Sequence, residues 1–284
     1  GQDPEVPQDA SNPFWIGVDE ARTPPPRPGP EVMEGRYARL EKLEATHAGG
    51  LFEAFEGTGA LWNYMPYGPF ADPAAYADWV AGMAGRDDPM FYAIRDLGTG
   101  RLAGVASWLR IAPEAGSIEV GHIAYAPALQ RTRAATEAMV LMMRWAFAAG
   151  YRRYEWKCNA LNRASRRAAE QLGFSYEGTF RQASVVKGRN RDTAWFACID
   201  SEWPALRDAF ARWLEPANFD AEGVQRQSLS DLRRPILVAR DPGPGRPSMP
   251  TAADNDVATV SIAATSDARR RPVRRRPSGT CDST

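Results

Sequence analysis

The sequence has few residues of the kinds that bind metals or form disulfides: three cysteines and two histidines among 284 residues. Cys158, Cys198 and Cys281 are far apart and form no CxxC pair, so we expect neither a disulfide framework nor a zinc cluster. This composition predicts a protein of the reducing cytoplasm that binds no metal. Lys+Arg and Asp+Glu balance at 35 each, which leaves no long-range field to attract nucleic acid or an anionic membrane. A small-molecule partner is therefore expected.

Long hydrophobic runs and the common phosphate-binding motifs are also missing. The most apolar stretch, residues 138–149, is interrupted by Arg144 and is well short of the roughly 20 residues that span a bilayer. No secretory h-region is visible near the N-terminus, so we expect no membrane partner. The sequence has no GxxxxGK[ST] motif, and no GxGxxG links a strand to a helix. These absences argue against a kinase and against a nicotinamide-dependent dehydrogenase.

Composition divides the chain into three regions. Eight of the 23 prolines lie in residues 1–30, and no aromatic residue occurs in the 65 positions after Phe219. We therefore predict an irregular segment over residues 1–33, one domain over 34–219 and a low-complexity tail over 220–284, disordered from about residue 241. Arginine runs at 269–271 and 274–276 are interpreted as part of a solvated tail rather than as a nucleic-acid site.

Hydrophobic periodicity predicts the element order β-α-α-β-β-β-α-β-α-β-β within the central domain. The predicted helices cover residues 46–56, 73–83, 131–149 and 163–172. The long third helix connects a strand over 117–125 to a strand over 152–158, and a crossover of this kind joins parallel strands. The fold class is therefore α/β (α+β), with one parallel pair inside a mostly antiparallel sheet.

The junction before the third helix combines small residues with two cations. Free backbone N–H groups and the helix dipole at such a position suit an anion, for example a pyrophosphate. The alternative is an ordinary helix start with solvated arginines. The candidate anion-binding residues are Gln130, Arg131, Thr132, Arg133, Ala134, Ala135 and Thr136.

A second segment makes the pattern specific. Asn162, Ser165, Gly173 and Phe174 match the block N-x-x-S-x-x-x-x-x-x-x-G-F. Together with the junction at Gln130, this block resembles the GNAT superfamily of acetyl-CoA-dependent N-acetyltransferases, in particular the ribosomal-protein N-terminal (RimJ/RimL) type. The resemblance covers about residues 36–203. It implies a GNAT fold with two central splayed parallel strands, and transfer of an acetyl group from acetyl-CoA to a primary amine of a small molecule or a protein N-terminus.

The chain departs from the family pattern at one position. The family loop is Q/R-x-x-G-x-G/A, and here Gln130 and Ala135 match whereas Arg133 replaces a glycine. Arg133 either narrows the phosphate-binding loop or points outward and leaves the N–H groups accessible. The alternative function is a non-catalytic CoA-binding or scaffold relative of the same fold.

The resemblance also implies roles along the strand before the loop. Ile123 and Tyr125 would flank the pantetheine arm, and His122 stands where some members carry a glutamate base. An imidazole with a pKa near ~6.5 suits this role, although a core histidine is the alternative. Glu119, three residues earlier, would face the opposite side unless a bulge intervenes, and for it a solvated strand position is favoured.

Other site residues are implied by the resemblance as well. Ser165 would protonate the thiolate leaving group, and Asn162 would bind the coenzyme arm, or only cap the helix. Trp62, Asn63 and Tyr64 would face the acceptor amine, unless they simply pack on the sheet. The sequence does not specify the acceptor or the oligomeric state.

Overall fold

A computed structural model describes residues 21–245 and Ser248. In that part of the chain, eight strands form one sheet with helices on both faces. The strands are β1 (Val32–Glu34), β2 (Ala38–Lys42), β3 (Met90–Asp96), β4 (Arg101–Ala112), β5 (Ser117–Tyr125), β6 (Arg153–Asn159), β7 (Ser175–Val186) and β8 (Arg189–Ile199). The helices are α1 (Ala48–Ala54), α2 (Pro73–Met83), α3 (Arg133–Ala149), α4 (Arg163–Gln171), α5 (Trp203–Leu214) and α6 (Leu229–Arg233).

The strands lie in the order β1-β2-β3-β4-β5-β6-β8-β7. Every neighbouring pair is antiparallel except β5 and β6, which the crossover helix α3 connects in parallel. The predicted fold class, the parallel pair and the order of the predicted elements are confirmed. Strand β1 and helices α5 and α6 were not predicted. For α5 a signal existed, because Trp203, Leu206, Phe210 and Trp213 recur at helical spacing and are all buried.

Two hydrophobic cores lie on opposite faces of the sheet. The larger core packs α3, α4 and α5 against one face, and the smaller core packs α1, α2 and the loop between them against β3 to β5. Glu137 of α3 is buried in the larger core, where its carboxylate accepts the backbone N–H groups of Tyr37 (2.6 Å) and Ala38 (2.9 Å). This contact fixes the β1–β2 turn onto α3. No helix in the described residues is long and apolar enough to cross a membrane.

The proline-rich N-terminal segment is irregular from residue 21 to 31 but packs on the domain. The Tyr151 hydroxyl donates to the Pro26 carbonyl (2.9 Å), and the Tyr92 hydroxyl donates to the Pro30 carbonyl (2.6 Å). Residues 1–20 lie outside the described residues.

The C-terminal segment contains order beyond the boundary that composition suggested. Leu229 in α6 is buried, and Asp241 forms an ion pair with the fully buried Arg166 of α4. The described residues therefore continue past residue 241, to residue 245 and Ser248. The reason is that one buried arginine needs a carboxylate, which an aromatic count does not detect. Residues 249–284, including the arginine runs, lie outside the described residues.

Candidate active site

The two parallel strands diverge at the centre of the sheet. They pair only from Ser117 and Arg153 to Val120 and Trp156. Both strands continue beyond these pairs, to Tyr125 and Asn159. A gap therefore opens between β5 and β6 at the end that leads into α3 and α4.

A β-bulge in β5 sets the direction of the side chains beside this gap. The β4–β5 register shifts between Gly121 and Ala124, and His122 adopts a left-handed conformation with φ +50°. The bulge reverses the alternation, so His122 packs on Phe91 in the smaller core. Glu119 and His122 consequently share one face of the sheet. Strict alternation would have placed the two side chains on opposite faces, and the bulge is the exception that brings them to the same face.

His122 is enclosed by aromatic rings. Its Nδ1 shares a hydrogen bond of 3.0 Å with the Tyr67 hydroxyl, and the two rings stack with centroids 5.6 Å apart. Burial, together with the positive charges of Arg110 and Arg191, lowers the pKa of His122 to about 4. The imidazole is therefore uncharged at neutral pH. The pKa near 6.5 that the sequence analysis assumed does not hold at this site.

Glu119 is buried rather than solvated. Only 3% of it is exposed, and its Oε2 accepts a hydrogen bond from Arg110 Nη1. Lys157 Nζ lies 3.8 Å from the same oxygen and 2.9 Å from Glu155 Oε2. Burial raises the pKa of Glu119, while Lys157 and Arg110 oppose that rise. The favoured sequence interpretation, a solvated strand residue, is wrong.

The N-terminus of α3 presents unpaired donors. Thr132 caps the helix by accepting the Ala135 N–H (3.2 Å). Within the described part of the chain, no acceptor lies opposite the N–H groups of Arg131, Arg133 and Ala134. The Gln130 side-chain amide donates to the Tyr125 carbonyl (3.1 Å) and so ties the loop to the end of β5. These donors, together with the helix dipole, form an anion-binding position.

Arg133 directs its side chain away from that position. Its guanidinium carbon lies 4.3 Å from the ring centroid of Tyr37 and 4.8 Å from that of Phe219. Two cation–π contacts therefore hold the side chain between the β1–β2 turn and the segment after α5. Of the two orientations that the sequence left open, this is the outward one.

Helix α4 begins beside the gap. Asn162 caps it by accepting the Ser165 N–H (3.1 Å). The Ser165 Oγ accepts a hydrogen bond from Trp156 Nε1 (3.1 Å). That bond uses a lone pair of Oγ, so the Ser165 hydroxyl can still donate its hydrogen, and the buried Cys158 sulfur is one group with which it interacts.

The three predicted acceptor residues differ in their placement. Trp62 is buried in the smaller core, whereas Asn63 and Tyr64 are exposed. The residue of this loop that reaches His122 is Tyr67, which the sequence analysis did not select. Trp62 therefore follows the alternative interpretation of packing on the sheet.

Lys187 fastens the same loop from across the site. It lies at the two-residue turn between β7 and β8, where Lys187 and Gly188 both have positive φ, +50° and +73°. Its ammonium donates to the carbonyls of Trp62 (2.8 Å), Tyr67 (3.0 Å) and Gly68 (2.7 Å). All three ammonium hydrogens are donated in hydrogen bonds, so Lys187 ties the β7–β8 hairpin to the loop of residues 62–68. In the sequence, the Lys187-Gly188 pair between two predicted strands was the signal that could have indicated this hairpin turn.

Known proteins share this architecture. Residues 38–175 match the family model of the acetyltransferase (GNAT) domain. A GCN5-related N-acetyltransferase from Brucella melitensis is 46% identical, with a TM-score of 0.74, over 75% of this chain and 99% of that chain. A probable GNAT-family acetyltransferase from Chromobacterium violaceum is 39% identical, with a TM-score of 0.63, over 66% and 96%. No match is found among curated proteins.

A more distant structure shares the fold. The acetyltransferase from Salmonella typhimurium that modifies the N-terminal serine of ribosomal protein L7/L12 is 21% identical, with a TM-score of 0.53, over 60% of this chain and 99% of that chain. At this identity the likeness concerns the fold.

Proposed function

Because the chain belongs to the GNAT superfamily and moves an acetyl group from acetyl-CoA to an amine, we propose how its own residues perform that reaction. The observation that carries the proposal is the gap between β5 and β6, which lies between free N–H donors on one face and His122 on the other. Acetyl-CoA supplies an acetyl group activated as a thioester. The gap and the donors fit such a ligand, because its arm is narrow and its phosphates are anionic.

The coenzyme phosphates bind at the N-terminus of α3. Arg131, Arg133 and Ala134 contribute backbone N–H groups, whereas the Ala135 N–H is already bonded to Thr132. The remaining role of Ala135, and that of Thr136, is to keep the first turn open to the ligand. The Arg131 side chain supplies charge, since that of Arg133 is held by two rings.

The pantetheine arm lies in the gap. Ile123 and Tyr125 line it from β5, and Asn162 lines it from the start of α4. Gln130 holds the Tyr125 carbonyl and thereby orients the end of β5.

The acceptor amine approaches from the face that carries His122. We assign the uncharged imidazole as the group that accepts the amine proton at Nε2, with Nδ1–H donating to the Tyr67 hydroxyl. A base with a pKa of about 4 is sufficient only because the attacking nitrogen becomes strongly acidic as its new bond forms. Glu119 holds Arg110 and Lys157 in place and is the alternative base, since burial raises its pKa.

Ser165 donates its hydroxyl proton to the departing thiolate. The alkoxide that remains is reprotonated by water, and the proton that His122 accepted from the amine returns to solvent. Its hydroxyl is oriented by Trp156 Nε1, which occupies an Oγ lone pair and leaves the hydrogen directed elsewhere. A serine donor suffices because a thiolate is a good leaving group that needs only one hydrogen bond in the transition state.

The acceptor is a primary amine, either of a small molecule or of a protein N-terminus. We also propose a cytoplasmic location, which agrees with the buried thiols of Cys158 and Cys198, because neither forms a disulfide. Cell fractionation tests the location.

The mechanism is tested by calorimetry with acetyl-CoA, followed by thiol release over a panel of amines. We expect His122→Asn and Ser165→Ala to lower kcat about 10²-fold to 10⁴-fold while the Kd for acetyl-CoA changes less than threefold. Arg189→Gln, an exposed position on β8, is the matched control. Absence of saturable acetyl-CoA binding would refute the proposal, and full activity of His122→Asn with loss in Glu119→Gln would transfer the role of base to Glu119.

A further inference from the structure

Arg191 is a half-buried cation without a carboxylate partner. Within the described residues, the only hydrogen bond of its side chain runs from Nε to Thr193 Oγ1 (3.2 Å). Both Nη atoms of the guanidinium fork are left without a partner. Other partly or fully buried arginines of the sheet and α4 each lie within 4.0 Å of a carboxylate: Arg39, Arg95, Arg153 and Arg166.

The neighbouring acids are already occupied. Glu119 accepts from Arg110 and lies near Lys157, and Lys157 also pairs with Glu155. Arg153 also contacts Glu155 and has Glu177 as a second partner. Three cations (Arg110, Lys157 and Arg153) and three carboxylates (Glu119, Glu155 and Glu177) therefore balance, and the charge of Arg191 remains. Burying a cation without a hydrogen-bonded counterion is costly. Burial lowers the pKa of Arg191, the attraction of Cys158 and Glu119 opposes this only in part, and repulsion from Arg110 adds to the lowering.

The free charge lies on the acceptor side of the sheet. Along β8, Ala194 and Phe196 belong to the larger core, so Arg191 and Thr193 point to the opposite face, the face of His122. Thr193 pairs with the last residue of β6, which places Arg191 just past the end of the gap. The positive charge of Arg191 contributes to the lowered pKa of His122. The proposed phosphate position at α3 is on the other face.

We propose that the two Nη atoms of Arg191 bind a carboxylate of the acceptor, so that the acceptor is a small amine with a carboxylate beside its amino group, as in an α-amino acid. A planar fork accepts a carboxylate through two parallel hydrogen bonds and so also orients the attached amine. A polyamine is disfavoured, because its second positive charge would meet Arg191 and Arg110 without a free acid. The inference rests on the proposed function and specifies its substrate class.

The experiment compares common α-amino acids with the matching α-amino acid amides, using thiol release from acetyl-CoA at saturating coenzyme. The amides have more acidic ammonium groups, so the informative quantity is the acid-to-amide ratio of kcat/KM, compared between protein variants. We expect Arg191→Gln to lower this ratio about tenfold to a hundredfold, the effect of one charge-assisted contact. Arg191→Lys should retain part of the preference, and Arg189→Gln should leave the ratio unchanged.

Two outcomes overturn the inference and leave the proposed function intact. One is an acid-to-amide ratio in Arg191→Gln within twofold of the parent. The other is a parent protein that binds acetyl-CoA and acetylates amides or spermidine, but none of the amino acids. A parent that binds no acetyl-CoA refutes the proposed function itself. Binding of an N-acetyl amino acid to the CoA-loaded protein, weakened in Arg191→Gln, supports the inference without turnover, and thermal unfolding confirms that the variant is folded.

Discussion

Burial of His122 as an uncharged ring makes a prediction about stability that is independent of catalysis. The folded protein holds the pKa of His122 at about 4, whereas an unfolded chain has a value near ~6.5. Between these values the unfolded chain binds a proton and the folded chain does not. The free energy of unfolding therefore falls as the pH is lowered through this window.

The magnitude follows from the two pKa values. This one histidine lowers the free energy of unfolding by roughly 2 kcal/mol between pH 7 and pH 5, and by roughly 3 kcal/mol at pH 4. The loss at pH 5 changes little if the folded value moves by one unit, because the unfolded pKa controls it there. His122→Asn removes the titrating group, and asparagine tolerates the positive φ of the bulge.

The assay is urea unfolding of the parent and of His122→Asn at pH 7 and pH 5, extrapolated to water. We expect the parent to lose roughly 2 kcal/mol more than the variant between the two pH values. Tyr67→Phe is the control: it removes the hydrogen bond but leaves the ring buried, and since burial is the main cause of the shift, most of the pH dependence should persist. If the free energies of unfolding of the parent and of His122→Asn fall by amounts that agree within about 0.5 kcal/mol, the folded protein also protonates His122 between pH 7 and pH 5, and its pKa is not lowered.

Three further predictions concern contacts around the site. Lys187→Met should raise the KM for the acceptor about tenfold without changing acetyl-CoA affinity, because the loop of residues 62–68 loses its three charge-assisted hydrogen bonds. An unchanged KM in steady-state kinetics would contradict this. Arg133→Gly should lower the free energy of unfolding by about 1–2 kcal/mol through loss of the cation–π contacts with Tyr37 and Phe219, and a tenfold change of acetyl-CoA affinity by calorimetry would show instead that its side chain contacts phosphate. Asp241→Ala should destabilise the protein by about 3 kcal/mol, because it leaves Arg166 buried without its carboxylate; a loss below about 1 kcal/mol in urea unfolding would argue against that pairing.

The local parts of the fold were readable in the sequence. Pro73 at the start of α2 and Asn162 at the start of α4 act within one helical turn, so their positions define helix starts without reference to the rest of the chain. The β5 alternation and the apolar α3 likewise predicted a parallel pair, because a crossover helix leaves few other topologies.

The site required contacts between distant parts of the chain. Tyr67 meets His122 across 55 positions, and Lys187 reaches the Trp62 carbonyl across 125. Neither pairing leaves a periodic trace, because each depends on how a loop and a hairpin turn meet above the sheet. The pKa of His122 depends on the same packing, since desolvation is a property of the enclosure and not of the residue.

Local signals were enough for the order of the central elements, the fold class and the family, because hydrophobic periodicity, helix caps and the Asn162 to Phe174 block act over short stretches of chain. The orientation of the side chains beside the gap depends on tertiary contacts. A single bulge turned His122 toward Glu119, two rings drew Arg133 out of the loop, and the pairing of every nearby acid left Arg191 as the unmatched charge. These outcomes are decided by long-range packing and by competition among charges, which no short stretch of sequence encodes.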